Sequence, residues 1–187
     1  DKVYGTWSCV CKNVHVGPCL RIDVPYTPCP NCNTHATEYN ELELKDDELL
    51  VTGSPDVTLV LRKGVFTAME IKSINGKDFA TLERPIPDHI MQVTFYWLLF
   101  KRLGYNVTNK ISILYVNKEY SFKSPYQEFV LDATETVKRL DPYLETTREF
   151  VAFRNGGDLP CRTHCANINS QDAKKCHVAV ICFSDGN

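Results

Sequence analysis

The chain has 187 residues, of which 43% are hydrophobic and 24% charged, so it can bury a sizeable core. Its formal net charge of −2 excludes nucleic-acid binding through an overall basic field, and such a site must be a local basic patch. No run approaches the roughly 20 apolar residues that span a bilayer, so we expect no membrane partner.

Residues 1–35 are rich in Cys, Pro and Gly and show little hydrophobic periodicity, which predicts a module organised by metal. Two pairs of cysteines, Cys9-x-Cys11 and Cys29-x-x-Cys32, resemble the two knuckles of a zinc ribbon and predict thiolate zinc. Cys19 is left over, and it can replace Cys9 or Cys11 or belong to another site. An odd total of nine cysteines also argues against a pure disulfide framework. We therefore expect a reducing, intracellular compartment.

Residues 36–73 predict three strand regions, "TEYNELEL", "ELLVTGSPDVTLVL" and "VFTAMEIKS", with a turn at Arg62-Lys63-Gly64 between the last two. Residues 74–87 predict a loop or a short helical turn. Residues 88–103 predict a buried helix, with Asp88 as its N-cap and Gly104 at its end.

Two further strands are predicted by "KISILYVNK" (110–118) and "QEFVLD" (127–132), followed by an amphipathic helix from about Ala133 to Phe153. The segment "NGGDLP" (155–160) breaks the chain before the second cysteine cluster. This order predicts an α/β core, with a mixed sheet and helices on both sides. The expected organisation is a metal module at 1–35, a core at 36–158 and a C-terminal cysteine segment at 159–187 that packs on the core.

The strand "VFTAMEIKS" carries charged residues where a buried hairpin is expected. Because strand side chains alternate between faces, Glu70 and Lys72 share one face with Ala68, and we expect Met69 and Ile71 to point into the core.

Asp56, on the preceding strand, can approach this charged face across the hairpin. Two carboxylates in a mostly apolar sheet repel each other, and a divalent cation resolves the conflict. Magnesium is typically bound by one or two carboxylates, water and substrate phosphate. A nearby lysine such as Lys72 can orient the water, which is what phosphodiester hydrolysis requires. The alternative is a solvated strand face with an ordinary Glu/Lys pair.

The predicted helix carries a polar stripe on an otherwise apolar surface. His89, Gln92 and Tyr96 lie at i, i+3 and i+7 and therefore share one face. A polar stripe on a buried helix must point at other polar groups. The alternative is a set of core polar residues that satisfy one another.

The succession Pro55-Asp56, Glu70-x-Lys72 and Gln92-x-x-x-Tyr96 resembles the PD-(D/E)XK nuclease superfamily. The Gln-x-x-x-Tyr helix is similar to the RecB-like branch, which includes CRISPR-associated RecB-like exonucleases and phage recombination nucleases. The resemblance covers about residues 40–132. It implies a PD-(D/E)XK-type mixed central sheet flanked by helices.

The resemblance also implies roles for individual residues. Asp56 and Glu70 would bind Mg²⁺ or Mn²⁺ together with the backbone carbonyl of Ile71, and Lys72 would position or activate the water. The residues implied to line the DNA path or support the site are Gln92, Tyr96, His89, Ser73 and Lys118. For Ser73 and Lys118, a simple strand-end residue is an equal alternative.

The sequence departs from the family pattern before the first strand. The family places a helix there with a histidine or acidic residue, whereas this chain has the Cys-rich module. His35 or Glu38 is a candidate substitute, and His35 is also a candidate loop residue or ligand of the Cys-rich module.

The C-terminal cysteines form a second candidate four-ligand set, Cys161, Cys165, Cys176 and Cys182. In RecB-like nucleases such cysteines hold an iron–sulfur cluster, often with one upstream cysteine. The resemblance implies Cys165, Cys176 and Cys182 as ligands, with Cys161 or Cys19 as the fourth. Zinc is an alternative, since thiolates suit both metals.

The expected function is that of a metal-dependent deoxyribonuclease, an exonuclease on single-stranded or end-exposed DNA. Its expected setting is the cytoplasm of a prokaryotic or phage-infected cell, with partner proteins of recombination, DNA repair or CRISPR adaptation. Two alternatives stay open. One is a single-stranded DNA-binding module, stabilised by zinc and an iron–sulfur cluster, with a vestigial catalytic centre. The other is a structure-selective endonuclease of the same superfamily.

Overall fold

The computed structural model describes residues 2–119, 124–158, 165, 167–176 and 179–184. Residues 1–144 and residues 145–187 form two compact units. The strands are β1 (Val3–Ser8), β2 (His15–Leu20), β3 (Glu38–Asn40), β4 (Leu44–Asp46), β5 (Val51–Gly53), β6 (Val57–Val60), β7 (Phe66–Ile74), β8 (Lys110–Asn117) and β9 (Tyr126–Asp132). The helices are α1 (Gly76–Ala80), α2 (Pro87–Arg102), α3 (Ala133–Thr136), α4 (Asp141–Arg154), α5 (Gln171–Lys175) and α6 (Ala179–Ser184).

The first unit is built on a seven-stranded mixed sheet in the order β2-β1-β6-β7-β8-β9, with β3 also paired to β1. Strands β7 and β8 are parallel and are joined through α2, whereas the other pairs are antiparallel. Strands β4 and β5 form a separate two-stranded hairpin. The predicted α/β class, with a mixed sheet flanked by helices, is confirmed at this level.

The Cys-rich segment 1–35 contributes strands to this sheet. Strand β1 pairs with β6 through Val3 and Tyr4, and with β3 through Thr6, Trp7 and Ser8. Trp7 is buried, with the ring of Tyr39 at a centroid distance of 5.4 Å and the guanidinium of Arg21 over its own ring. Residue 35 therefore does not mark a boundary of the sheet, although the sequence predicts a module boundary there.

Helix α2 begins one residue earlier than expected. Asp88 is not the N-cap; the cap is Ile86, Pro87 is the first helical residue and Asp88 lies in the first turn. The first helical position favours proline because its fixed φ suits a helix and the N–H that it lacks would be unpaired there anyway.

Among the described helices, none combines the length and the apolar character that a membrane span requires.

Helix α2 stops just before Gly104, as predicted, with Leu103 as its C-cap. Gly104 has a φ of +78° and its N–H donates to the carbonyl of Lys101 at 3.1 Å, while Tyr105 N–H donates to Phe100 at 3.0 Å. These two bonds form a Schellman motif, and the rings of Tyr105 and Phe100 contact edge to face with centroids 5.2 Å apart.

Helix α2 covers the sheet face that carries Ala68 and Glu70, both fully buried. The expectation that Met69 and Ile71 point into the core is wrong, since they lie on the opposite face and Ile71 is 39% exposed. Alternation fixes which residues share a face, but the position of α2 decides which face is covered. The buried core on the α2 side comprises Leu42, Leu44, Ala68, Phe79, Val93, Tyr96, Trp97, Leu99, Phe100, Val107, Ile111, Ile113, Tyr115 and Ala133.

The helix predicted from about Ala133 to Phe153 is divided into three pieces. Helix α3 is followed by a 3-10 helix at Val137–Leu140 and then by α4. Pro142, at the second position of α4, has no N–H to donate and its ring would clash within a continuous helix. The chain therefore starts a new helix at Asp141.

Candidate functional site

The β6–β7 hairpin brings Asp56 beside Glu70. Val57 pairs with Met69 and Thr58 with Ala68, so one further step of this register places Asp56 opposite Glu70. The Asp56 carboxylate is held there because its Oδ2 accepts a 2.6 Å hydrogen bond from the backbone N–H of Ile71. The close approach that the sequence predicts for these two carboxylates is present.

Glu70 is a buried carboxylate with only part of its hydrogen-bonding capacity used. Its side chain is 2% exposed, and Oε1 lies 2.6 Å from Lys72 Nζ. Oε2 is buried and has no hydrogen-bond partner among the described residues. Burial raises the pKa of Glu70; Lys72 offsets part of this effect, and the charge of Asp56 adds to it.

This donor set fits a divalent cation. An orphaned, buried carboxylate oxygen costs free energy that a hard cation would recover. Asp56 and Glu70 supply carboxylate oxygens, and the backbone of Ile71 lies next to Asp56. Two of the ligand groups that the resemblance implies for magnesium or manganese, the carboxylates of Asp56 and Glu70, are therefore neighbours, and Lys72 is in contact with one of them.

Gln92 and Tyr96, one turn apart on α2, are joined by a hydrogen bond from Gln92 Nε2 to Tyr96 Oη of 2.8 Å. Tyr96 is largely buried, and burial raises its pKa; the bond from Gln92 opposes this shift, whereas Glu70 and Asp56 add to it. The Tyr96 phenol is thus close enough to the carboxylates to feel their charge. The polar stripe of α2 faces the charged hairpin.

His89, in the first turn of α2, reaches the neighbouring strand β8. Its Nδ1 lies 2.8 Å from the hydroxyl of Tyr115, which also accepts the backbone N–H of Ile86 at 3.0 Å. Tyr115 pairs with Lys72 across the β7–β8 ladder and has no exposed surface. Burial lowers the pKa of His89, and the positive charge of Lys72 lowers it further.

Two residues at this site were not expected from the sequence. Tyr115 lies in an apolar strand, and its partner His89 is 26 residues away, so no local pattern indicates the contact. Gly53 lies against the ring of Tyr96, and a Cβ there would come within 2.9 Å of Tyr96 Cε1. The only sequence signal for it is a glycine shortly before Pro55-Asp56.

Four of the candidate residues are not brought to the carboxylates. Ser73 is exposed and lies on the face of β7 opposite Glu70, and Lys118 is exposed just beyond β8. Glu38 forms a 2.5 Å ion pair with Lys12. His35 stacks on Tyr26 with ring centroids 3.7 Å apart. The contacts of His35 and Glu38 thus lie in the N-terminal Cys-rich segment.

A second candidate site lies in that segment. The Sγ atoms of Cys9, Cys11, Cys29 and Cys32 all lie within 4.8 Å of one another. Sγ of Cys11 is 3.5 Å from that of Cys9 and 3.6 Å from that of Cys29. Zn–S bonds of about 2.3 Å in a tetrahedron place sulfurs about 3.8 Å apart. The four predicted ligands can therefore hold a metal such as zinc.

Backbone N–H groups donate to two of the four sulfurs. Val14 N–H donates to Cys9 Sγ at 3.3 Å, and Asn31 N–H donates to Cys29 Sγ at 3.4 Å. Hydrogen bonds from Thr34 lower the pKa of Cys32 to about 6. The Asn13 backbone lowers the pKa of the Cys11 thiol, but Cys32, burial and Cys9 outweigh it and raise that pKa to about 11. N–H···S bonds stabilise thiolate, which is the form that binds metal.

No other cysteine among the described residues joins this cluster. Cys19 lies outside it, and burial raises the pKa of its thiol. In the C-terminal set, Cys161 and the side chain of Cys182 fall outside the described residues, while Cys165 and Cys176 are free thiols. An iron–sulfur or zinc site there stays a prediction.

Comparisons with known proteins assign no family. No protein-family profile and no curated protein match the chain. One similar solved structure is titled "Crystal structure of SSO0001", with 21% identity and a TM-score of 0.33 over 51% of this chain and 40% of that one. The match thus spans less than half of that protein's chain.

Proposed function

We propose that this protein is a divalent-metal-dependent deoxyribonuclease that hydrolyses phosphodiester bonds in single-stranded or end-exposed DNA, as an exonuclease. The observation that carries the proposal is the buried Glu70 carboxylate. Its Oε2 has no hydrogen-bond partner in the part of the chain that the structure describes, while Asp56 stands opposite and Lys72 Nζ lies 2.6 Å from Oε1. A structural ion pair needs no second carboxylate. The resemblance to RecB-like nucleases supports this assignment.

In the proposed site each side chain has a separate task. Asp56 and Glu70, with the Ile71 carbonyl, would hold Mg²⁺ or Mn²⁺. When bound, such an ion supplies positive charge for a phosphate and lowers the pKa of bound water. Lys72 orients the attacking water through its ammonium group and stabilises developing negative charge.

The α2 residues complete the proposed site. Gln92 fixes the orientation of the Tyr96 phenol, and both residues border the path of the DNA strand. The Cys9/Cys11/Cys29/Cys32 cluster, with zinc, stabilises the strands β1 and β3 that flank it. We place this activity in DNA recombination, repair or CRISPR adaptation in the cytoplasm of a prokaryotic or phage-infected cell.

The test is cleavage of end-labelled linear and circular single-stranded DNA, with and without Mg²⁺ or Mn²⁺. We expect the metal-dependent loss of linear substrate by the wild type, and none by Glu70→Ala or Lys72→Ala. Lys45→Ala is the matched control, because Lys45 forms an equally short 2.6 Å pair with Asp47 whose two side chains are exposed.

Each remaining outcome selects another function. Full activity of purified Glu70→Ala or Lys72→Ala would exclude this nuclease site. Binding of single-stranded DNA without cleavage under either metal would favour a DNA-binding module. Cleavage of circular DNA would favour an endonuclease.

A further inference from the structure

The hydroxyl of Tyr115 determines which nitrogen of His89 carries the proton. The Ile86 N–H is a donor only, so Tyr115 Oη accepts at that contact, 3.0 Å away. Because Tyr115 is fully buried, its own hydroxyl proton needs an acceptor, and His89 Nδ1 at 2.8 Å is in place. Were Nδ1 protonated, the buried hydroxyl proton of Tyr115 would lack this acceptor, and an unsatisfied buried donor is unfavourable.

His89 is therefore held as the neutral tautomer with its proton on Nε2. The lowered pKa of the imidazole agrees with this state, since burial and Lys72 both disfavour a positive charge and only Asp88 opposes them. The His89 side chain is half-buried, and Nε2 has no hydrogen-bond partner among the described residues. Nε2–H is thus a spare donor at the start of α2.

We propose that His89 Nε2–H donates a hydrogen bond to a phosphate oxygen of the DNA strand in the Lys72 site, with Tyr115 as the positioning residue that fixes the tautomer. This inference rests on the proposed nuclease function. Phosphate is the fitting ligand because it offers only acceptor oxygens, and its negative charge suits a donor close enough to Lys72 to feel the charge of that ammonium group. His89 thereby becomes a substrate-contacting residue.

The lysine and the histidine would make different contributions. Lys72 is paired with Glu70, so its charge is partly neutralised in the absence of DNA. The His89 donor is neutral and directional, and it adds no charge beside Lys72. A phosphate contact through Nε2–H therefore orients the strand without increasing repulsion with the ammonium group.

The tautomer can be read directly in the wild type by long-range proton–nitrogen NMR of nitrogen-15-labelled protein. We expect an unprotonated Nδ1 and a protonated Nε2 for His89 at neutral pH. In Tyr115→Phe we expect a mixture of tautomers. A protonated Nδ1 or an imidazolium in the wild type would overturn the proposal, whatever the variants do.

Binding is tested with fluorescein-labelled single-stranded oligodeoxythymidine in metal-depleted buffer, where cleavage does not interfere. A hydrogen bond to a charged phosphate is worth enough that His89→Ala and His89→Asn should weaken binding about tenfold. His89→Gln places its amide NH₂ near the position of Nε2 and should stay within about threefold of the wild type. His15→Asn, at an exposed histidine of β2, is the matched control.

The outcomes separate this inference from the nuclease assignment. Equal affinities for wild type, His89→Asn and His89→Gln overturn the phosphate contact even if the wild type cleaves DNA. In cleavage assays we expect His89→Asn to raise KM about tenfold with a smaller change in kcat. Affinity that depends on His89 in a protein that cleaves nothing supports the contact and rejects the nuclease. Absence of oligonucleotide binding rejects the phosphate contact, and metal-dependent cleavage then decides the nuclease assignment separately.

Discussion

Replacing Lys72 by methionine tests the electrostatics of the site without DNA. The substitution leaves the Glu70 carboxylate, 2% exposed, with no counter-charge. Removal of one partner from a buried ion pair costs about 3–5 kcal/mol. Because the Lys72 side chain is itself 25% exposed, we expect the lower end, about 3 kcal/mol. Lys45→Met breaks an exposed pair of the same length, which solvent screens, and should leave the urea midpoint nearly unchanged.

The assay is urea denaturation followed by circular dichroism, in metal-depleted buffer without chelator so that the cysteine cluster is not stripped. Mn²⁺ at about 100 times its dissociation constant should raise the free energy of unfolding by about 2.7 kcal/mol in a protein that binds the ion only when folded. At one fixed Mn²⁺ concentration, the increase in the free energy of unfolding should be larger for Lys72→Met than for Lys45→Met, because the cation replaces the ammonium group of Lys72 beside Glu70.

The pH dependence gives an independent check. Burial raises the folded-state pKa of Glu70 above its ordinary value of 4.5. The stabilisation that comes from protonating Glu70 is therefore fully present below pH 4.5, and it is lost as pH rises through the folded-state pKa. The destabilisation by Lys72→Met should therefore shrink on acidification towards 4.5. Equal urea midpoints for Lys72→Met and Lys45→Met at neutral pH, or equal gains from Mn²⁺, would refute this account of the site.

Three further substitutions test other parts of the structure. Gly53→Ala should displace the Tyr96 ring, reduce stability by about 1–3 kcal/mol and lower nuclease activity; unchanged activity and urea midpoint would contradict the close contact. Cys29→Ser should reduce the zinc content measured by mass spectrometry, whereas the same change at a cysteine outside the cluster should not. Arg102→Met removes the ion-pair partner of buried Asp46 and should cost about 2–3 kcal/mol at neutral pH. That cost should decline as pH falls through the lowered pKa of Asp46, and a difference that persists in acid would argue for lost packing instead.

The sequence predicts the local geometry of the site better than its surroundings. Alternation along "MEIK" is enough to place Glu70 and Lys72 together, and the hairpin turn places Asp56 across from them. Met69 and Ile71 are as apolar as any core pair, so composition cannot show that α2 covers the other face. Which face of the sheet α2 covers depends on packing between elements that are far apart in the chain.

Long-range pairing explains the other differences. The strand "VYGTWS" joins β6 through residues more than 50 positions away, and no local period reveals this. From the sequence alone, Tyr115 cannot be distinguished from the other core residues of β8. Its hydroxyl gains a role only through contact with His89, 26 residues away. By contrast, Gly104 is recognisable at once, since a left-handed residue after an apolar helix has a local cause.

Strand β1 has a consequence for solubility. By pairing with Thr58 and Leu59 it occupies backbone groups of β6 that would otherwise be free to recruit a strand from another molecule. The strand beyond it, β2, carries Pro18, which has no N–H, and its pairing with β1 is interrupted by a register shift between Gly5 and Trp7. Both features discourage intermolecular pairing. The N-terminal segment therefore protects this edge of the sheet against self-association, in addition to providing cysteine ligands.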